Sequence, residues 1–137
     1  MIYFFDTNAL AYIFDNDDPV RQLRAKEFFN RVASEHDACL STQVLIELYN
    51  VLTRRLKPRL SPELSQQHLE RFVQFRVLAT QAQHVLAATQ LMQKHRLSWW
   101  DALILEAALR ADADVLVSED FSHGQRFGKL IVENPFL

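Results

Sequence analysis

Four carboxylates stand where a soluble chain does not ordinarily place them. Asp6 follows the apolar run Ile2-Tyr3-Phe4-Phe5, and Asp101 is embedded in Trp99-Trp100-Asp101-Ala102-Leu103-Ile104-Leu105. Glu47 lies at the rim of an apolar helical arc beside Val44 and Val51, and Asp120 comes shortly after Val115–Val117. Burying an ionised carboxylate is costly unless a partner compensates it. Lysines and arginines next to these positions are scarce, so a shared divalent cation is the simplest partner. An all-oxygen ligand set favours Mg²⁺ or Mn²⁺ over zinc. Such an ion activates water and stabilises charge on a phosphoryl oxygen, and a second ion can stabilise the leaving oxygen. Four carboxylates brought together would also repel one another and raise at least one pKa.

Each acid has a plainer reading. Asp6 can cap a helix after the first strand, and Ser98-x-x-Asp101 has the form of a capping box. Glu47 can pair with Arg54 or Arg55, and Asp120 can be a turn residue beside Glu119. The segment Arg54-Arg55-Leu56-Lys57-Pro58-Arg59 is either a phosphate-tracking patch or a solvated helix end. The five histidines have no metal-ligand spacing and read as surface or satisfied core residues.

The elements that must position these acids alternate between short apolar runs and helical stretches. Strands are expected at Ile2–Phe5, Ala38–Leu40, Val77–Ala79, Val115–Val117 and Leu130–Val132. Asp17-Asp18-Pro19, Ser41-Thr42, Ser61-Pro62-Glu63 and Ser98 are helix starts, with Pro at the first helical position in two of them. A further helix carries Ala82, Val85, Leu86, Thr89 and Met92, and the one from Ser98 runs to about Ala111 with Glu106 and Arg110 as its polar stripe. Strands separated by helices imply an α/β fold: a parallel-stranded central sheet flanked by helices on both faces. Ligands of such sheets bind at the strand C-termini, where Asp6 and Asp120 fall.

The 137 residues make one domain, 1–137, with no linker or repeat. Fifteen Lys+Arg against seventeen Asp+Glu give a net charge of −2, which excludes a general basic coat for nucleic acid. The two glycines, Gly124 and Gly128, are too few and too late for a Walker A loop, a dinucleotide fingerprint or a G-x-S-x-G elbow. A single cysteine, Cys39, fits a reducing compartment. With no membrane-length apolar run and no leader-like segment, the expected location is the cytoplasm.

These residues resemble the PIN-domain family, particularly the VapC-type toxins of prokaryotic toxin–antitoxin pairs. The matching pieces are Phe5-Asp6-Thr7-Asn8, Thr42-Gln43-Val44-Leu45-Ile46-Glu47, Ser98-Trp99-Trp100-Asp101-Ala102, Val117-Ser118-Glu119-Asp120-Phe121 and Ile131-Val132-Glu133-Asn134-Pro135-Phe136. They follow in the family's order over essentially the whole chain. The resemblance implies a PIN-like three-layer sandwich and a Mg²⁺- or Mn²⁺-dependent endoribonuclease. It implies Asp6, Glu47, Asp101 and Asp120 as the catalytic quartet, with Asp6, Asp101 and Asp120 on the metal. Thr7, Asn8 and Ser118 are implied as polar support, and Glu119 competes with Asp120 for the fourth place. Arg54, Arg55, Lys57 and Arg59 would contact RNA. An antitoxin protein and a homodimer are the implied partners.

Two other classes fit parts of the pattern. A phosphotransfer enzyme of the haloacid-dehalogenase kind would use Asp6 as nucleophile, although that class resembles Asp-x-Asp and Asn8 holds the second place. A non-catalytic domain could use the acids only to bind a basic partner.

Overall fold

The computed structural model describes residues 1–137. Six strands form one sheet in the order β3-β2-β1-β4-β6-β5: β1 Ile2–Phe5, β2 Asp37–Ser41, β3 Arg76–Leu78, β4 Val115–Val117, β5 Arg126–Phe127 and β6 Leu130–Glu133. The first four and β6 run parallel, and β5 is antiparallel to β6. Central β1 pairs Phe4 with Cys39 on one side and with Leu116 on the other. Its residues are apolar on both faces because both faces are covered. Tyr3 and Phe5 meet Phe28 edge-on, and alternation turns Phe4 to the opposite face.

Six helices flank this sheet: α1 Thr7–Ala11, α2 Pro19–Glu35, α3 Thr42–Asn50, α4 Pro62–Phe72, α5 Ala82–His95 and α6 Trp99–Arg110. Four starts are capped as the sequence signals. Asp18, Ser41, Ser61 and Ser98 each accept from a backbone N–H in the following turn, with Pro19 and Pro62 at the first position. Helix α3 widens into a π-helical turn, Val51–Arg55, before Leu56 becomes extended and ends it. The third strand starts one residue earlier than its apolar run, at Arg76 rather than Val77.

The antiparallel β5 was outside the expected set of strands. Two residues are too few to show a period, and Gly128, at φ 64°, opens the two-residue turn that folds β5 onto β6. The order of strands reverses direction between β1 and β4. That switch point opens a crevice at their C-terminal ends, directly before Asp6 and Ser118. No helix is long and apolar enough to cross a membrane.

Candidate functional site

Asp6 leaves β1 at the crevice and is 4% exposed. Its backbone N–H donates to the Val117 carbonyl (3.0 Å), which carries the β1–β4 pairing one step past the strand. Its side chain caps α1, with Oδ1 accepting from the Thr7 N–H at 2.7 Å. Oδ2 accepts from the Ser118 hydroxyl at 2.7 Å and from the Asn8 amide at 3.3 Å. The capping reading of Asp6 is therefore correct, and it accounts for one oxygen only.

Asn8 braces the two strand ends. Its amide nitrogen donates to Asp120 Oδ2 at 3.0 Å, and its Oδ1 accepts from the Glu119 N–H at 3.1 Å. Ser118 Oγ accepts from the Asp120 N–H at 3.0 Å. Thr7, Asn8 and Ser118 thus all touch or adjoin the acids. Glu119 also lines the cleft, with its carboxylate 4.0 Å from the Arg21 guanidinium, but Asp120 rather than Glu119 belongs to the close group of acids.

From α6 comes Asp101, set in the first turn by Ser98, whose Oγ accepts from its N–H at 3.1 Å. Carboxylate oxygens of Asp6, Asp101 and Asp120 lie within 4.8 Å of one another. Asp6 is buried, Asp101 half-buried and Asp120 exposed. Apolar sequence around Asp101 had implied deep burial. The first turn of α6 instead lies at the rim of the sheet, where Trp100 is also exposed.

Glu47 is outside this close group but lines the same cleft, of about 330 Å³, with Asp6, Thr7, Asn8 and Asp120. Its Oε1 accepts from the Gln43 amide at 2.6 Å, not from Arg54 or Arg55 as one reading of the sequence had it. Gln43 also donates to the Trp100 carbonyl at 3.3 Å, tying α3 to α6. The sequence reading missed Gln43. Its signal was the i,i+4 spacing to Glu47 on one helix face.

Of the basic segment, Arg55 lines the cleft; Arg54, Lys57 and Arg59 are exposed outside it.

Burial raises the Asp6 carboxyl to about 7, with Asp120 and Glu47 pushing the same way and the Ser118 and Thr7 hydrogen bonds opposing it. Glu47 and Asp101 are also raised, first by burial and then by neighbouring carboxylates. The expectation of a raised pKa holds, but desolvation rather than mutual repulsion is its main cause. Three hard oxygen donors on one side of an open cleft suit a divalent cation. Their oxygens lie within 4.8 Å of one another and would have to close further to share one ion, a movement open to the side chains of exposed Asp120 and half-buried Asp101. The Thr7 hydroxyl, buried at the cleft without a protein partner, leaves a further oxygen free.

The fold has solved counterparts. VapBC2 of Rickettsia felis, bound to a DNA fragment from its promoter, matches with a TM-score of 0.68 and 21% identity over 98% of both chains. DNA-bound VapBC of Salmonella typhimurium matches with a TM-score of 0.68 and 20% identity, again over 98% of both. VapC20 of Mycobacterium tuberculosis, a sarcin-ricin loop cleaving toxin, matches with a TM-score of 0.65 and 20% identity over 83% of this chain and 86% of that one. No curated protein sequence matches. The PIN domain profile matches residues 3–125, which include all four acids, and the chain belongs to the PIN-domain family.

Proposed function

We propose that this PIN-domain protein is a divalent-metal-dependent endoribonuclease and the toxin of a type II toxin–antitoxin pair. One observation carries the reading: Asp6, Asp101 and Asp120, from two strand ends and a helix start, bring carboxylate oxygens within 4.8 Å of one another. Asp6, Asp101 and Asp120 would hold Mg²⁺ or Mn²⁺. When bound, the ion supplies charge stabilisation at phosphoryl oxygens and lowers the pKa of water. Gln43 occupies Glu47 Oε1 and leaves Oε2 to take a proton from the attacking water. Thr7, Asn8 and Ser118 hold the carboxylates in register, and Glu119 holds the loop to Arg21. Arg55 draws the phosphate backbone to the cleft, and Arg54, Lys57 and Arg59 extend that pull beyond it.

The solved VapBC structures support an antitoxin partner, and the sarcin-ricin loop cleaving toxin supports an RNA substrate; a cytoplasmic location belongs to the same reading. A homodimer belongs to the same reading. Membership of the PIN family leaves the haloacid-dehalogenase alternative without support. The non-catalytic alternative is met by experiment. Purified protein is incubated with single-stranded RNA in Mg²⁺, in Mn²⁺ and in EDTA. Cleavage that needs the ion and disappears in a folded Asp101→Asn protein is the expected result. Inactive wild type, or equal cleavage by the variant, removes the nuclease reading.

A further inference from the structure

The nucleophile in the proposed reaction is water, with Glu47 as its base, so the chemistry makes no use of a ribose 2′-hydroxyl. Selectivity for RNA must then come from a group that touches that hydroxyl, since it is what separates the two sugars. Most polar groups of the acidic cleft are already committed. Asn8 spends its nitrogen on Asp6 and Asp120 and its oxygen on the Glu119 N–H. Gln43 holds Glu47, and Asp15 accepts from the Asp17 N–H. Arg55 suits a phosphate, and the Thr7 hydroxyl is buried. Two groups on the cleft wall have capacity left: the Tyr12 hydroxyl and the Glu119 carboxylate, whose side chain is 24% exposed.

Both are built in place. The Tyr12 ring is fixed by Phe136, edge-on at 4.9 Å, and by the Arg21 guanidinium at 5.4 Å. Arg21 in turn is drawn to Asp18 at 3.2 Å and to Glu119 at 4.0 Å. Burial first, and then the facing Glu119 carboxylate, raise the Tyr12 phenol above its ordinary value, so it stays a donor. The Asn8 side chain that holds the Asp120 carboxylate also holds the Glu119 backbone, which fixes this pair relative to the clustered acids. A donor and an acceptor that face each other suit a hydroxyl, which accepts from one and donates to the other. Charge points the same way. Asp15, Asp18 and Glu119 outnumber Arg21 at this end, so a phosphate is repelled and an uncharged hydroxyl is not. A carboxylate on a ribose hydroxyl is a recurrent arrangement in nucleotide sites.

We propose that Tyr12 and Glu119 form a ribose subsite that selects RNA by binding the 2′-hydroxyl of a nucleotide next to the scissile phosphate. Glu119 accepts from that hydroxyl and Tyr12 donates to it. The proposal rests on the nuclease reading and names how that site tells RNA from DNA. Glu119 thereby acts on the sugar and is not a fourth metal ligand. A deoxyribose leaves both groups unpaired in the cleft, which is the costly case for a polar site.

The test is single-turnover cleavage in Mn²⁺ by wild type, Tyr12→Phe and Glu119→Gln. The substrates are one short single-stranded RNA, the DNA of the same base sequence with uracil kept, and copies of the RNA with one 2′-deoxy residue moved position by position past the cut. At subsaturating enzyme, wild type should cut the RNA about tenfold or more faster than the DNA, and one deoxy position should cost it about tenfold. Each variant should lose about tenfold on the all-ribose strand and show no further loss at that deoxy position. If wild type cuts RNA and DNA equally, or either variant keeps the deoxy penalty, the subsite is wrong and the metal-dependent nuclease reading stands. A Glu119→Gln protein that keeps the penalty and needs more Mn²⁺ for half-maximal rate would make Glu119 a metal ligand instead. If wild type cleaves no nucleic acid with any divalent ion, both readings fall together. Equal thermal melts of the three proteins exclude misfolding as a cause.

Discussion

Helix α6 carries two carboxylates that solve the problem of burial in opposite ways. Glu106, mid-helix and 6% exposed, is gripped by the Arg110 guanidinium through Nε at 2.9 Å and Nη2 at 3.2 Å, and Arg110 Nη1 also reaches the Ala79 carbonyl. Asp101, one turn from the helix start, is less buried but has no basic residue in hydrogen-bonding contact; its neighbours are Asp6 and Asp120. The paired end is a finished structural joint. The unpaired end has an electrostatic deficit that a cation from solvent can fill. Burial alone therefore does not mark a functional acid; burial without a countercharge does.

Breaking the unpaired end should have the larger effect. Asp6→Asn and Asp101→Asn should each lower RNA cleavage by about 10²-fold or more, since electrostatic groups at a reacting centre act on that scale. Stopped assays on folded protein measure this, and retained activity in Asp101→Asn removes that residue from the site. Both variants should also lose the stabilisation by Mn²⁺, which for wild type is about 2.7 kcal/mol at a hundredfold excess over Kd. Melting curves with and without the ion read this difference.

Breaking the paired end should change stability and spare chemistry. Arg110→Met leaves Glu106 buried without its partner and should cost about 2–3 kcal/mol, less than a fully buried pair because Arg110 is partly exposed. Urea melts check the cost, and the variant's cleavage rate below its melting point should equal wild type. An unchanged midpoint would mean that Arg110 is not what compensates Glu106.

A pH series sharpens the contrast further. Folded, Asp6 keeps its proton up to about pH 7, whereas the unfolded chain releases it near 3.8. Between these values the folded state binds more protons, so this contribution is full below about pH 4 and is lost as pH rises through about 7. In EDTA, wild type should lose stability across that interval faster than Asp6→Asn. Parallel slopes for the two proteins would show that Asp6 is not the group responsible. Added Mn²⁺ should oppose the loss, because it binds the deprotonated carboxylates. The smallest expected effect belongs to the basic segment. Replacing two of Arg54, Arg55, Lys57 and Arg59 by Ala should lower the log–log salt slope of RNA binding by about 0.7 for each lost phosphate contact.

Much of this was legible in the chain. A four-residue apolar run ended by Asp6 forecasts a central strand and a carboxylate at its mouth, because both depend on local composition. The helix starts were legible for the same reason: Ser and Pro act within one turn. Glu106 was not. On a helical wheel it belongs to a polar stripe with Arg110, yet α5 packs against α6 and its residues share a groove with both. Which face a neighbouring helix covers is decided by tertiary packing, and no local period records it. The converse error befell Asp101, whose apolar neighbours cluster deeper along α6 while its own turn stays at the rim.

The Asn8 brace also bears on synthesis. Asp6 and Ser118 are 112 positions apart, as are Asn8 and Asp120, so the clasp joins residues that leave the ribosome at well-separated times. A ribosome-bound chain that has not yet released residues 115–120 has Asp6 and Glu47 but neither the strand that aligns them nor the third carboxylate. Until then the nascent polypeptide holds its acids apart. Under the proposed nuclease function, the chain is thus made beside abundant RNA while its acidic cluster is still incomplete.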